Sequence, residues 1–170
     1  MDKIIVKHWT SPIGEMIIGS YRDELCLADW MESPKREQTD RHLCERLYAQ
    51  MQEGTTPVIE DAIKQLDEYF RRERQEFDLS LRMVGTEFQE RAWRELLRIP
   101  YGTTISYGEQ ARRMGDPSAV RAVANANSCN PVCIIVPCHR VIGANRTLTG
   151  YAGGLHLKRA LLDLESATLL

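Results

Sequence analysis

The sequence predicts an α+β chain with α/β character in its first half: a small sheet-containing domain over residues 1–85, then a mainly helical domain over residues 86–170 with a helix-turn-helix and a candidate reactive cysteine. Three observations predict it. Strand-like runs crowd the first 30 residues. At Gly85 the pattern changes to short helices with capping signals at their starts. Near the far end an apolar run, VCIIV, leads directly into Pro137, Cys138, His139 and Arg140.

Taken in order, KIIVKHW is the first strand, and EMIIGS and ELCLADW flank the turn-like YRD, which predicts a small sheet. The polar stretch over 34–57 holds a helix over 38–51, and GTTP closes it. Ile59, Ile63, Leu66 and Phe70 then recur with helical spacing, whereas Phe77, Leu79, Leu81 and Met83 alternate like a strand. Arg71, Arg72 and Arg74 stand where that helix ends, suited to its negative dipole end and to solvent.

In the second half TEFQ (86–89) is a capping box, with Thr86 as the cap and Gln89 reaching back, and SYGE (106–109) is a second. The helix after SYGE ends at Gly115, and DPSAVRAVANAN restarts one with Asp116 as cap and Pro117 at the first helical position. Helix, glycine turn, helix is the spacing of a helix-turn-helix. Four alanines in AVRAVANA (119–126) let that helix approach its neighbour closely, and Arg121 is a long cation among short side chains. Leu157, Leu161 and Leu164 share one face of a last helix that carries Glu165.

Composition excludes several classes. With 43% hydrophobic residues in 170, the chain can bury the core of one domain or two small ones. Its longest uncharged apolar run, CIIVPC, is far short of a membrane span, and MDKIIVKHWT lacks the apolar centre of a secretory signal. Five cysteines without regular spacing point to a reducing interior, cytoplasmic or nuclear, and not to a disulfide framework. The net charge of −2 conceals an asymmetry: residues 1–85 hold 12 basic and 17 acidic side chains, residues 86–170 hold 10 and 7. A basic second half is suited to phosphates.

Cys138 next to His139 is the strongest chemical signal. A nucleophilic cysteine works as the thiolate, and because a free thiol has a pKa of about 8.5 it needs a neighbouring base or charge. Neighbours on an extended strand point to opposite faces, so either the backbone bends after Pro137 or a water links sulfur to imidazole; the water is the expectation. A carboxylate would hold the second ring nitrogen, and Glu165 is the candidate.

NPVCIIVPCHRVIG followed by TLTGYAGGLHLKRALLDLE, with FQERAWRELLRIPYGTTISYGEQA upstream, resembles the O6-alkylguanine-DNA alkyltransferase family over about residues 86–165. Residues 1–85 are similar to that family's less specific N-terminal domain. The resemblance implies a direct-reversal repair enzyme that flips a nucleotide out of duplex DNA and transfers the alkyl group of O6-alkylguanine irreversibly to Cys138, once per molecule. O4-alkylthymine is left open. His139 and Glu165 would complete a water-linked relay, Tyr107 would hand a proton to the leaving guanine, and Asn130 would support the site. Arg121 would fill the gap left by the flipped nucleotide. Around it, DNA contacts are implied for Ala119, Ala124, Asn127 and Arg140, and for Thr103, Ser106 and Tyr107 at the preceding helix. The base pocket is implied to be Tyr151, Ala152, Gly153 and Gly154, with Val136 and Cys138 offering backbone groups to the guanine edge. No cofactor and no metal are implied, and the partner is double-stranded DNA, met by a monomer whose cooperativity on DNA is open.

The chain departs from the family pattern at Ala124 and Asn125, where relatives have smaller residues, and at Cys129, a second thiol near the site. Two other readings remain. A zinc-organised DNA-binding module would use Cys129, Cys133, Cys138 and His139, although C-x3-C-x4-C-H is an unusual zinc spacing. A non-catalytic lesion-recognition protein of the same fold would lack the acceptor thiol, which is present here as Cys138.

Overall fold

In a computed structural model, residues 1–145, 148–151 and 153–169 are described. The chain divides into two compact units, Met1–Gly85 and Thr86–Leu170.

The first unit is a four-stranded sheet carrying two helices. Strands β1 (Asp2–Ser11), β2 (Gly14–Tyr21) and β3 (Glu24–Trp30) form antiparallel hairpins, and β4 (Ala49–Glu53) joins β1 in parallel, giving the order β3-β2-β1-β4. The β2–β3 turn is Arg22-Asp23, both at positive φ (47° and 67°), the geometry whose twist suits a two-residue hairpin. Six consecutive residues of β2, Met16 to Tyr21, are buried, because the sheet is covered on both faces. Helix α1 (Arg36–Leu47) places Leu43 against Ile4, Val6 and Leu27, and helix α2 (Pro57–Phe70) packs Ile59, Ala62, Leu66 and Tyr69 inward against β1, β2 and β3.

Three details of this unit differ from expectation. The helix expected over 38–51 ends at Leu47, because Tyr48 turns left-handed (φ 51°) and Ala49–Glu53 pairs with β1. GTTP opens α2 instead of closing a segment: Thr56 accepts from the Ile59 N–H and Pro57 occupies the first turn. The alternating run 77–83 is not a strand beyond one bridge, Leu25 to Leu81. The side chain of Gln65 takes a strand's place there, donating to the Asp78 carbonyl and accepting from the Asp78 N–H, both at 2.9 Å.

The second unit is helical around a two-stranded parallel ribbon, β5 (Ile105–Ser106) with β6 (Val141–Ile142). Helix α3 (Glu87–Leu96) starts with the expected capping box between Thr86 and Gln89. Helix α4 (Tyr107–Arg113) is capped by Ser106, whose hydroxyl accepts from the Glu109 N–H; only this half of the second box forms among the described contacts. Gly115 (φ 82°) ends α4 in a Schellman turn, its N–H on the Arg112 carbonyl and the Asp116 N–H on the Ala111 carbonyl. Since Asp116 is engaged in ending α4, it does not cap the next helix. Helix α5 (Val120–Ser128) begins later than expected, after a turn in which the Ala119 N–H returns to the Asp116 carbonyl at 3.0 Å. Helix α6 (Leu155–Leu169) closes the unit with Leu157 and Leu161 buried. No helix among the described residues is long and apolar enough to cross a membrane.

Candidate active site

The segment after α5 is buried throughout from Asn130 to Val141, but it is not the extended run expected of VCIIV. It is a compact turn. Ile134 sits at φ 71°, and the Val136 N–H closes onto the Val132 carbonyl at 3.0 Å. Asn130 organises it from within: its Oδ1 accepts from the Val132 N–H at 2.9 Å, and its Nδ2 donates to the Val136 carbonyl at 2.8 Å and to Cys138 Sγ at 3.3 Å. A buried amide satisfied at both ends is a rigid strut. Its last bond is to the sulfur.

After Pro137 the chain bends into a single 3₁₀ turn, Cys138–Arg140. The backbone thus bends after Pro137, and Cys138 and His139 do not stand on an extended strand whose neighbours face opposite ways. Cys138 is 7% exposed, whereas His139 is fully buried. The imidazole Nε2 lies 2.6 Å from Glu165 Oε2 on α6, and the same carboxylate receives Arg140 Nε at 2.9 Å and the Gly102 N–H at 3.2 Å. Glu165 is 1% exposed.

Electrostatics assigns the protons. Burial alone would raise the Glu165 carboxyl, but the hydrogen bonds from His139 and Arg140 and the charge of the Arg140 guanidinium overcome it and hold the group well below the usual carboxylate range. Burial lowers the His139 imidazole, with Glu165 opposing, so a neutral ring is favoured. An ionised carboxylate can only accept, so the ring proton sits on Nε2 and Nδ1 keeps a lone pair. Nδ1 is buried and has no hydrogen-bond partner among the described residues. A lone pair left open in this way is the atom that a bridging water would use.

A second group of side chains gathers around Tyr107. Tyr107, the first residue of α4, donates its hydroxyl to the Thr149 carbonyl at 2.9 Å. Lys158 of α6, fully buried, donates to the carbonyls of Val141 (2.6 Å) and Thr149 (2.7 Å), and lies 3.4 Å from the Tyr107 hydroxyl. Burial pushes Lys158 down to about 8 and Tyr107 up, and the charge of Cys138 raises both. Sequence reading missed Lys158. A lysine on the apolar face of a helix, one residue from Leu157, was the available signal, and it was counted only as a basic charge.

Tyr107, Ser118, Val120, Arg121, Ala124, Thr149 and Gly150 line one open groove of about 610 Å³. The structure thus brings together Tyr107, Arg121 and Ala124 on one surface, and bonds Asn130 to Cys138 and Glu165 to His139 at one 3₁₀ turn. Arg121 is exposed on α5, Ala119 precedes it as the cap position, Thr103 is exposed with its hydroxyl on the Pro100 carbonyl, and Ser106 caps α4. Tyr151 is buried, and Gly153 and Gly154 lead into α6. Ala152 lies outside the described residues.

Three placements differ from those implied by the resemblance. Asn127 is 6% exposed and bonded to Gln110, facing the core and not a DNA surface. Arg140 is 6% exposed and committed to Glu165 and the Ile99 carbonyl. The Val136 carbonyl already accepts from both Asn130 Nδ2 and the Cys138 N–H, which leaves it no lone pair for a base edge. For the zinc reading, His139 Nε2 is taken by Glu165, and among the described residues no three His, Cys, Asp or Glu side chains gather as metal ligands.

A helix-turn-helix beside a held thiol, with imidazole and carboxylate behind it, defines a DNA-binding protein with a candidate nucleophile, and comparison with known proteins agrees with that class. A model of the 6-O-methylguanine DNA methyltransferase DNA binding domain matches residues 87–167, and that of the same family's ribonuclease-like domain matches residues 5–83. The chain belongs to the 6-O-methylguanine DNA methyltransferase family. It is 45% identical over 160 residues to a methylated-DNA--protein-cysteine methyltransferase of Mycobacterium tuberculosis, covering 92% of this chain and 89% of that protein. Against the constitutive methylated-DNA--protein-cysteine methyltransferase of Bacillus subtilis it is 42% identical over 161 residues, covering 91% of each. Its fold is similar to the crystal structure of Mycobacterium tuberculosis OGT in complex with DNA, with a TM-score of 0.81 and 42% identity over 98% of this chain and 94% of that one.

Proposed function

We propose that this chain repairs duplex DNA by direct reversal, transferring the alkyl group of O6-alkylguanine to Cys138 Sγ in a single irreversible turnover. The observation that carries the reading is the sulfur gripped by Asn130 Nδ2 next to an imidazole committed through Nε2 to Glu165. Family membership supports it, and Cys138 is the acceptor that a purely recognising protein would not need.

The damaged base must first leave the stack, at a cost of a few kcal/mol. Arg121, exposed on α5, would enter the vacated space and offset part of that cost. The Cys138 thiol then gives its proton, through one water, to the open lone pair on His139 Nδ1, and Glu165 stabilises the imidazolium that results. The thiolate attacks the alkyl carbon. An S–C bond forms, the C–O6 bond breaks, and its electron pair stays with guanine, which takes a proton from Tyr107. Partial burial makes Tyr107 a poor acid, so a cation beside the developing phenolate matters, and Lys158 lies 3.4 Å away. The product is unmodified guanine and an S-alkyl cysteine thioether, which water does not cleave. Residues 86–170 would carry DNA binding and transfer, with residues 1–85 as the accompanying domain, acting on chromosomal DNA as a monomer in a reducing compartment.

The test is stoichiometric. Incubated with excess duplex carrying a radiolabelled methyl on guanine O6, the protein should take up one methyl per molecule and then stop. Label that stays on the DNA, or that turns over repeatedly, would contradict the proposal.

Lys158 adds a pH dependence. Because burial lowers it to about 8, its cation is present below that pH and lost above it. The single-turnover rate should therefore fall on the alkaline side of pH about 8, and Lys158→Met should be slower throughout and lack this limb. An alkaline limb that persists in the variant would assign it to another group.

A further inference from the structure

Helix α5 is fastened to its neighbours by polar side chains buried in the second unit. Gln110 of α4 is fully buried and Asn127 of α5 is 6% exposed. Their amides exchange two hydrogen bonds, Gln110 Nε2 to Asn127 Oδ1 at 3.1 Å and Asn127 Nδ2 to Gln110 Oε1 at 2.8 Å. Gln110 Nε2 also donates to the Ala92 carbonyl on α3 at 3.2 Å, and the Trp93 indole N–H, from α3, donates to the Ala126 carbonyl of α5 at 2.9 Å. Beyond the pair, the Asn127 carbonyl accepts from the Asn130 N–H at 3.1 Å, and Asn130 is the residue that grips Cys138.

A satisfied buried amide pair adds little net stability over apolar side chains of the same shape. What it adds is direction. Aliphatic contacts allow a helix to roll on its axis, whereas two reciprocal hydrogen bonds between short side chains admit one setting. Arg121 stands six residues before Asn127, about 240° around a helix of 3.6 residues per turn, and so on another face. Any roll of α5 that strains the pair moves Arg121 and the Asn130 end together.

We infer that the Gln110–Asn127 amide pair fixes the roll of α5 and keeps Arg121 in register with the thiol segment, so that DNA engagement and presentation of Cys138 occur in one geometry. The pair positions; it touches neither sulfur nor the groove. The inference rests on the DNA-dependent transfer proposed above.

The test uses the full chain and two single-turnover rates, methyl transfer from a duplex containing O6-methylguanine and from the free O6-methylguanine base. In the double variant Gln110→Leu, Asn127→Leu, confirmed folded by its melting transition, the ratio of duplex rate to free-base rate should fall about tenfold, with a higher half-saturating DNA concentration. The exchanged pair Gln110→Asn, Asn127→Gln keeps amide facing amide and should recover most of that ratio. Should the double variant not fold, Gln110→Met carries the same comparison. A ratio within about twofold of the native one, whether both rates drop together or neither does, overturns the inference. Native protein that takes no methyl from the duplex would instead contradict the repair reading itself.

Discussion

Glu165→Gln is expected to lower the stability of the Thr86–Leu170 unit by about 3–5 kcal/mol, because it removes the ionised partner of a buried guanidinium. Arg140 is 8% exposed by side chain and Glu165 1%, so neither charge is solvated in the other's absence. The variant also disturbs the imidazole: a glutamine presents an amide where His139 Nε2 now meets a carboxylate at 2.6 Å. Alkyl transfer should slow by about 10² to 10⁴, the usual worth of positioned proton transfer. The sign of the pH dependence follows from the lowered carboxyl. Its folded value lies below the unfolded one, so its contribution is complete above the ordinary carboxylate range and is lost as pH falls through that range toward the folded value. Thermal melts from pH 7 downward check this: the native unit should lose stability steeply with acid, and the variant should lack the Glu165 share of that slope.

Tyr107→Phe is the second large effect. The hydroxyl bonds to the Thr149 carbonyl and lies next to Lys158, so its removal takes away the proposed acid and leaves the Lys158 ammonium bonded to two carbonyls. The stability change should be small, since Tyr107 is only half-buried and Lys158 keeps its Val141 and Thr149 partners. The rate of transfer from O6-methylguanine duplex should drop about 10² to 10⁴ with DNA affinity changed far less. Equal losses in rate and affinity would move Tyr107 from proton donor to DNA contact. A substrate whose leaving group needs no proton should narrow the gap between variant and native protein.

Much of this was legible in the sequence because the signals were local. Thr86 with Gln89, Ser106 before α4, and Gly115 after it are decided by backbone groups within a few residues, and all three appear at the helix ends where they were read. The adjacency of Cys138 and His139 is local too. Glu165 could be chosen because acidic residues are scarce after Gly115 and a leucine stripe placed it on a core-facing helix.

What was misread depends on partners far away in the chain. AQMQE looks like the end of a polar helix until β1 offers it a parallel edge. The 77–83 alternation promised a strand, but Gln65, 13 residues upstream, supplies the backbone's partners at Asp78. VCIIV reads as extended, yet Asn130 folds it into a turn by bonding forward to Val132, Val136 and Cys138. Asn127 and Arg140 were assigned to DNA by the family resemblance alone, with no local signal in the residues themselves. Gln110 and Glu165, both distant in sequence, claim them for the core. Lys158 was passed over for the same reason, its three acceptors coming from residues 9, 17 and 51 positions away.

The account stands on where the alkyl group ends up. Intact-protein and peptide mass spectrometry after reaction with O6-methylguanine duplex measures this directly. The prediction is one added methyl, carried by the peptide containing Cys138, and no addition in Cys138→Ser. A methyl found on Cys129 or Cys133, or an unmodified protein beside DNA that has lost its O6-methylguanine, would contradict it.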